Sequence, residues 1–351
     1  MKIAVFGWYG HDNAGDERLK YCLNHYLMSL GGIDKIDFYD LHENAIKGKT
    51  SKFDSYDLVI VGGGGLILSQ CNYHDFINGL QTKLAVLGVS VERPKLTGNS
   101  KKFAIALLEK SCAFYVRDEE SKQKLSRYDT VNKVKVSADL TFLEPYKPVN
   151  ISDNKKIGIN ILPKPLHFKY STLSSPFFSF ILRVLNFLGI KNCVKVIDFK
   201  NIIQHVQTIA DLLPIPLYCA PQDQSLALYQ KTDIEFLKTY FKDVPVNFSD
   251  KDLDKCIMFL SMRLHGAIFA VQKGIPVLSL SYLPKNRNFM ERADLQELLI
   301  ESLSPKNIMN KIEYISKNSE SIQKKMLQYT QAESQKIRHD VKAIINLVSG
   351  S

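Results

Sequence analysis

Lys2-Ile-Ala-Val-Phe-Gly7-Trp-Tyr-Gly10-His-Asp-Asn13-Ala-Gly15-Asp16-Glu17 is the stretch that decides the fold. Its first six residues form an apolar run rich in β-branched side chains, which predicts a strand. A turn bearing Gly and Asn follows, and over residues 17–30 the apolar positions recur at helical spacing. The unit repeats. Tyr56-Asp-Leu-Val-Ile-Val61 runs into Gly62-Gly-Gly-Gly65, residues 103–108 read as a strand or a helix start, and Cys112-Ala-Phe-Tyr-Val116 precedes a helical 119–127. Alternation of this kind predicts an α/β fold with a parallel sheet covered by helices on both faces.

A second alternating set follows the polar, Pro-bearing stretch 144–154. Its predicted strands are Lys156-Ile-Gly-Ile-Asn-Ile161, Ile215-Pro-Leu-Tyr-Cys219, residues 257–261 and residues 275–281, the last two flanking a short helix at 265–273 that Gly274 ends. The boundary is placed near residue 150, giving domains 1–150 and 151–351. Residues 304–348, charged and without strand signal, are expected as C-terminal helices of the second domain, packing over its sheet or back across the domain junction. A length of 351 residues suits two domains of ordinary size.

At 45% hydrophobic and 23% charged, with 18 Gly and 13 Pro, the chain is excluded from the collagenous, low-complexity and largely disordered classes. The net charge of +10 favours an anionic partner. The six cysteines show no CxxC or Cys/His spacing of a zinc site, so reduced thiols in the cytosol and no metal are expected. Neither a secretion signal nor an apolar run long enough to span a membrane is expected.

Three places carry candidate chemistry. The loop after the first strand leads into a helix N-terminus, where backbone N–H groups point outward, and it carries Asn13, Asp16 and Glu17. The bland reading of Asn13 and Asp16 is turn geometry and N-capping. Gly62–Gly65 leaves the main chain open to close approach, or is merely a tight strand exit. Arg117-Asp118 stands at another strand end, where Asp118 caps a helix and Arg117 either projects into a cleft or makes an ion pair. The sharpest constellation is Met262-Arg263-Leu264-His265-Gly266-Ala267, at a strand-to-helix turn. There a guanidinium grips phosphate or carboxylate, backbone amides add donors, and an imidazole, with its ordinary pKa near ~6.5, can donate a proton. Lys285, after the next strand, can reach the same anion or be a solvated loop lysine. There is no GxGxxG and no P-loop.

Taken together, these residues resemble the polysaccharide pyruvyl transferase family. The resemblance rests on Gly-x-x-Asn-x-Gly-Asp-Glu ending at Glu17, on Gly62–Gly65, and on Val116-Arg117-Asp118 with Ser121. It continues through Asp139 in Ser-Ala-Asp-Leu-Thr-Phe, Pro221-Gln222-Asp223, Arg263-Leu264-His265, and Ser281-Tyr282 with Lys285. The longer, more apolar stretch 166–199 departs from the pattern. The resemblance implies two Rossmann-like domains facing across a cleft, glycosyltransferase-B-like, with phosphoenolpyruvate as donor and a sugar of a glycan precursor as acceptor. It implies donor-binding roles for Arg117, Arg263, Leu264 (by its backbone), His265 and Lys285.

The chemistry needs an acid and a base. His265 is the candidate acid and Asp16, ahead of Glu17, the candidate base, with Asn13 orienting the sugar and Gly63 and Gly64 also on the acceptor side. No cofactor is expected, since phosphoenolpyruvate is a co-substrate, and no nucleic acid. The acceptor is expected to be a lipid-diphosphate-linked oligosaccharide. Residues 173–190, rich in Phe and Leu with basic neighbours, read equally as a core helix or as an interfacial helix holding a cytoplasmic protein peripherally on an anionic inner leaflet. A nucleotide-sugar glycosyltransferase of the same architecture and a non-catalytic anionic-glycan binding protein remain open on sequence alone.

Overall fold

A computed structural model describes residues 1–67, 73–92, 94–152, 154–162, 199–219, 232–280, 283–300 and 304–350. The chain divides into two units, Met1–Pro145 with Tyr329–Ser351, and Tyr146–Gln328. Each unit is an α/β assembly around its own parallel sheet.

The first unit begins with β1 (Lys2–Gly7), whose Ile3, Ala4, Val5 and Phe6 are wholly buried. A strand apolar on both faces requires cover on both faces, which is the parallel-sheet arrangement. Helix α1 (Ala14–Ser29) follows, its buried Leu19, Cys22, Leu23, Tyr26 and Leu27 recurring at one helical face. Then come β2 (Lys35–Asp40), α2 (Leu41–Lys47), β3 (Leu58–Ile67), α3 (His74–Gly79) and β4 (Leu84–Val91). The set ends with α4 (Gly98–Lys110), β5 (Ser111–Val116), α5 (Glu119–Leu125) and β6 (Val134–Val136). The sheet order is β2-β1-β3-β4-β5-β6.

The second unit contains β7 (Lys156–Asn160), α6 (Lys200–Gln207), β8 (Asp211–Pro214), α7 (Asp233–Leu237), α8 (Asp250–Leu253) and β9 (Cys256–Ser261). It continues through α9 (Leu264–Lys273), β10 (Val277–Leu280), α10 (Pro284–Arg292) and β11 (Leu299–Ile300). Its sheet order, β11-β10-β9-β7-β8, is the same winding as in the first unit. In both, the second strand lies on one side of the first and the third on the other. The order therefore reverses between β1 and β3, and again between β7 and β9. Open α/β sheets bind ligands at such switch points, beyond the carboxyl ends of the strands.

Two expectations are corrected here, at Gly62–Gly65 and at residues 215–219. Gly62–Gly65 is not a turn: β3 runs through it, with Gly63 and Gly64 at φ +79° and +76° and a register shift against β4 between Gly64 and Ile67. The glycines supply a bulge only they can adopt cheaply. Of the two readings of residues 103–108, strand or helix, the structure has the helix, since they lie within α4. The strand expected at 215–219 lies at Asp211–Pro214 instead, because Pro216 has no N–H with which to continue a ladder. The C-terminal segment is divided between the two units. The final helix, α11 (Pro305–Ser349), loses helical geometry at Asn318, and its last turns belong to the first unit. There Ser137 Oγ donates to Asp340 at 2.5 Å, Arg338 donates to the Leu143 carbonyl at 2.7 and 2.9 Å, and Tyr329 meets Phe142 edge-on. The division between the units falls at Pro145/Tyr146.

Residues 173–190 and Pro221-Gln222-Asp223 lie outside the described residues. No helix among the described residues is long and apolar enough to cross a membrane.

Candidate functional site

In the second unit, the switch point gathers Asn160 at the end of β7 and Arg263, Leu264 and His265 after β9. Arg263 is the N-cap residue of α9, so the first N–H groups of that helix open beside it. Its guanidinium does not extend alone. Nε and Nη2 donate to both oxygens of Asp233, at 2.6–3.0 Å, and the plane lies 5.3 Å over the Tyr218 ring. Asp233 is wholly buried and also accepts from Asn160 Nδ2 at 2.9 Å, Leu217 N at 3.0 Å and Tyr218 N at 3.1 Å. One carboxylate thus ties β7, the chain after β8, helix α7 and the Arg263 turn into one frame.

Gly266 lets α9 sit down on β9, since a Cβ there would fall 2.3 Å from Ser261 Oγ and 2.7 Å from Leu217 Cδ1. Ser261 Oγ donates to the Arg263 carbonyl at 3.0 Å, and Asn286 Nδ2 to the Met262 carbonyl at 2.9 Å. His265, half-buried, stacks on Phe269. Lys285 is in the first turn of α10, which Pro284 opens, one strand further along the same sheet. The guanidinium of Arg263 and the ammonium of Lys285, with the imidazole of His265 and a helix N-terminus as further hydrogen-bonding groups, suit an anion.

The first unit has the opposite character. Asn13 caps α1, its Oδ1 accepting from Gly15 N at 3.1 Å, and Glu17 accepts from Gly10 N at 2.6 Å. Asp16 is buried against the glycine bulge: a Cβ on Gly64 would lie 3.2 Å from its Oδ1. Gly63 in turn admits Leu19 and Leu140. On Gly65 lies the side chain of Glu92, from the end of β4, whose atoms occupy the space a Cβ would need. Tyr9, from the loop after β1, packs its ring over Gly7 and donates its hydroxyl to the Gly62 carbonyl at 2.7 Å. Burial, reinforced by the charges of Asp16 and Glu17, pushes the Tyr9 phenol far above its ordinary range, so it stays protonated.

Arg117 is buried in this unit. It meets Asp139 at 3.2 Å, Ser90 Oγ at 2.7 Å, Glu92 at 3.7 Å and Asp118 at 3.8 Å. Burial alone opposes its charge; Asp139, Glu92 and Asp118 overbalance that and raise its pKa. Asp118 also caps α5, accepting from Ser121 N at 2.8 Å. Arg117 is therefore in a carboxylate cage at the end of β5.

The structure thus brings Asn13, Asp16, Glu17, Gly63, Gly64 and Arg117 to the carboxyl edge of the first sheet, and Arg263, Leu264, His265 and Lys285 to that of the second. Sequence reasoning missed Glu92 and Asp233. The only local signal near Asp233 was the capping box of Thr232 and Glu235, which announces a helix start and nothing about Arg263. Among the described residues, no cluster of three or more His, Cys, Asp or Glu is arranged to hold a metal ion.

No curated protein matches the chain in sequence. Among solved structures, a UDP-N-acetylglucosamine 2-epimerase aligns over 100% of this chain and 97% of its own, with a TM-score of 0.59 at 10% identity. A putative enzyme of the same name from Listeria monocytogenes aligns over 99% and 96%, at 0.56 and 11%. The S. aureus MnaA–UDP structure aligns over 99% and 98%, at 0.52 and 14%. At such identities the likeness is one of fold: two Rossmann-like domains of glycosyltransferase-B type. The profile of the polysaccharide pyruvyl transferase family matches residues 13–284, a span that starts at the α1 N-cap, after β1 and its loop, and ends at the first residue of α10, taking in the turn from β9 into α9. The chain belongs to the polysaccharide pyruvyl transferase family.

Proposed function

We propose that the protein transfers the pyruvyl group of phosphoenolpyruvate to two hydroxyls of a sugar in a glycan precursor, forming a cyclic ketal and releasing phosphate. The observation that carries this reading is the second unit's switch point, where Arg263, His265 and the α9 N-terminus, with Lys285 one strand on, supply cations and amide donors for a small dianionic-to-trianionic donor.

In this reading His265 gives a proton to carbon 3 of phosphoenolpyruvate, and positive charge develops at carbon 2. The first sugar hydroxyl bonds to carbon 2 and yields its proton to Asp16. The bond from carbon 2 to the phosphate oxygen then breaks, its electron pair and the Asp16 proton leaving with phosphate. The second hydroxyl closes the ring on carbon 2, and its proton restores His265. Two hydroxyl protons are lost; one ends in the new methyl group and one on phosphate. Arg263, Lys285 and the Leu264 N–H hold the donor's anionic groups; Arg117, for which the family resemblance implies a donor contact, is matched within the first unit by Asp139, Glu92 and Asp118. Asn13, Glu17, Gly63 and Gly64 line the acceptor side.

We place the reaction in the cytoplasm on a lipid-diphosphate-linked oligosaccharide, with peripheral attachment to the inner leaflet through residues near 173–190. The test is phosphate release from phosphoenolpyruvate with a panel of synthetic lipid-linked oligosaccharides, with UDP-sugars as alternative donors in parallel. Acceptor-dependent phosphate release and a product heavier by one pyruvate ketal are expected. Glycosyl transfer from a UDP-sugar with no phosphate release would refute the reading.

A further inference from the structure

Trp8 is the chain's one tryptophan, and it stands 40% exposed in the loop directly after β1. Exposure of an indole costs hydration free energy, and an isolated exposed aromatic needs no explanation. Trp8 is not isolated. Its ring stacks on His11 at 4.1 Å between centroids and 21° between planes. His11 Nε2 is 3.0 Å from Asp40 Oδ2, and Asp40 is itself immobilised as the N-cap of α2, its Oδ1 accepting from Glu43 N at 2.7 Å. The indole is thus backed by a ring that a fixed carboxylate holds in place.

The loop is fastened on the other side too. Tyr9 turns inward, its ring over Gly7 and edge-on to Phe38 and its hydroxyl on the Gly62 carbonyl, which leaves Trp8 as the outward neighbour. Gly10, at φ +86°, donates to Glu17, so the loop is tied to the first turn of α1. A flat apolar face held this firmly loses little entropy when something stacks on it.

Its position is the switch point between β1 and β3, where the fold binds ligands. Its surroundings choose the ligand's chemistry. Asp12, Asp16, Glu17 and Asp40 lie on this loop, the following helix turn and the adjoining strand end, against the cations Arg18 and Lys20, the latter with its ammonium over the Phe38 ring. Such an edge disfavours a nucleotide or another anion, and its carboxylates are acceptors for hydroxyl donors. An uncharged pyranose offers both halves: a C–H face for the indole and hydroxyls for the carboxylates and Asn13.

We propose that Trp8, backed by His11 and Asp40, is the stacking platform of a subsite for an uncharged hexopyranose. The subsite rests on the reading above insofar as that sugar is the acceptor of the pyruvyl group, but its test needs no donor. Because Trp8 is the only tryptophan, its emission reports the subsite directly. Methyl glycosides of neutral hexoses and N-acetylhexosamines, and of the matching uronic acids, are titrated into the full-length protein, with saturation-transfer NMR on the same sugars.

At least one neutral glycoside is expected to shift the emission saturably, and its uronic acid counterpart to bind at least tenfold more weakly. By NMR, Trp8→Ala is expected to weaken the neutral sugar about tenfold, the loss of one aromatic stack, while Trp8→Phe retains most of the affinity. Unchanged emission with every neutral glycoside, preference for the uronic acids, or undiminished binding by Trp8→Ala overturns the proposal. Saturable neutral-sugar binding without phosphate release from phosphoenolpyruvate leaves the platform standing and removes the transfer reading. Phosphate release with an acceptor KM indifferent to Trp8→Ala does the reverse.

Discussion

Asp233 and Arg263 form the pair that frames the switch point of the second unit, and breaking it separates structural roles from the proposed binding of donor. The carboxylate is wholly buried and accepts from Arg263, Asn160, Leu217 N and Tyr218 N. Removing one partner of a buried pair costs about 3–5 kcal/mol. The Arg263 side chain is 23% exposed, so part of its charge stays solvated, and about 2–4 kcal/mol is the expected loss for Asp233→Asn. Arg263→Met leaves Asp233 charged with three remaining donors, and about 1–3 kcal/mol is expected. Since neither single change leaves a matched partner, the double variant is expected to cost less than the sum by about 2 kcal/mol. Urea unfolding of the four proteins measures the cycle, and calorimetric titration with phosphoenolpyruvate measures donor affinity beside it. Arg263→Met is expected to lose donor affinity at least tenfold, and Asp233→Asn less, because the guanidinium remains but its direction is relaxed. A coupling below about 0.5 kcal/mol would refute the geometry. Equal donor affinity in all four proteins would remove Arg263 from the donor site.

Asp16→Asn is expected to lower kcat for phosphate release at least a hundredfold with donor affinity nearly unchanged, since general base catalysis is worth ~10²–10⁴; steady-state kinetics beside donor titration checks this. Cys22 and Cys256 are buried, and burial pushes both thiols up to about 12, so a thiol-specific disulfide reagent at pH 8 is expected to modify exposed Cys112 quickly and those two only on unfolding, as peptide mass mapping would show. Burial raises the Asp340 carboxyl, a shift that Ser137, Lys336, His339 and Lys135 only partly offset. A folded pKa above the unfolded value means that ionised Asp340 opposes folding at neutral pH and that this opposition fades as pH falls toward the unfolded value near ~3.9. Asp340→Asn is therefore expected to raise the melting temperature at pH 7 and to lose that advantage by pH 4, and a constant difference across the range would contradict it.

Local signals made most of the frame legible. Lys2–Gly7 and Cys256–Ser261 are buried strands bounded by turn chemistry, and Gly274, at φ +71°, closes α9 where a left-handed cap demands glycine. What failed was set by neighbours far along the chain. Gly62–Gly65 reads as a break by propensity, yet β4 pairs with β3 on both sides of the bulge, Gly62 with Leu87 and Gly64 with Val89 before the register shift and Ile67 with Val91 after it, whereas β1 pairs only as far as Val61. The last turns of α11 carry no label for a sheet two hundred residues away; the contacts of Asp340 and Arg338 with Ser137 and Leu143 assign them. The site followed the same division. Residues flanking a strand-to-helix turn, such as Asn13 and Arg263, are visible from spacing, whereas Asp233 and Glu92 acquire meaning only when thirty residues, or a neighbouring strand, are folded beside them.

Both units wind in the same order, so both have a switch point, and their contrast in charge is then a matter of which side chains each turn carries. At the first, Asp12, Asp16, Glu17 and Glu92 outnumber the cations, and Arg117 is already matched by Asp139, Glu92 and Asp118. At the second, one buried carboxylate, Asp233, faces Arg263, with His265 and Lys285 beside a helix N-terminus. A net charge of +10 over the chain therefore says nothing about the first switch point, which is acidic. A reaction joining a polyanionic donor to a neutral polyhydroxyl acceptor needs two sites of opposite preference, because a single cationic site would bind the donor and reject nothing. In the proposed reaction the repeated topology would supply two such sites from one plan. Exchanging the charges should accordingly exchange the preferences: Arg263→Glu is expected to abolish binding of phosphoenolpyruvate while leaving the tryptophan response to neutral glycosides unchanged. Loss of both together, in a protein that still melts cooperatively, would mean that the two sites are not independent.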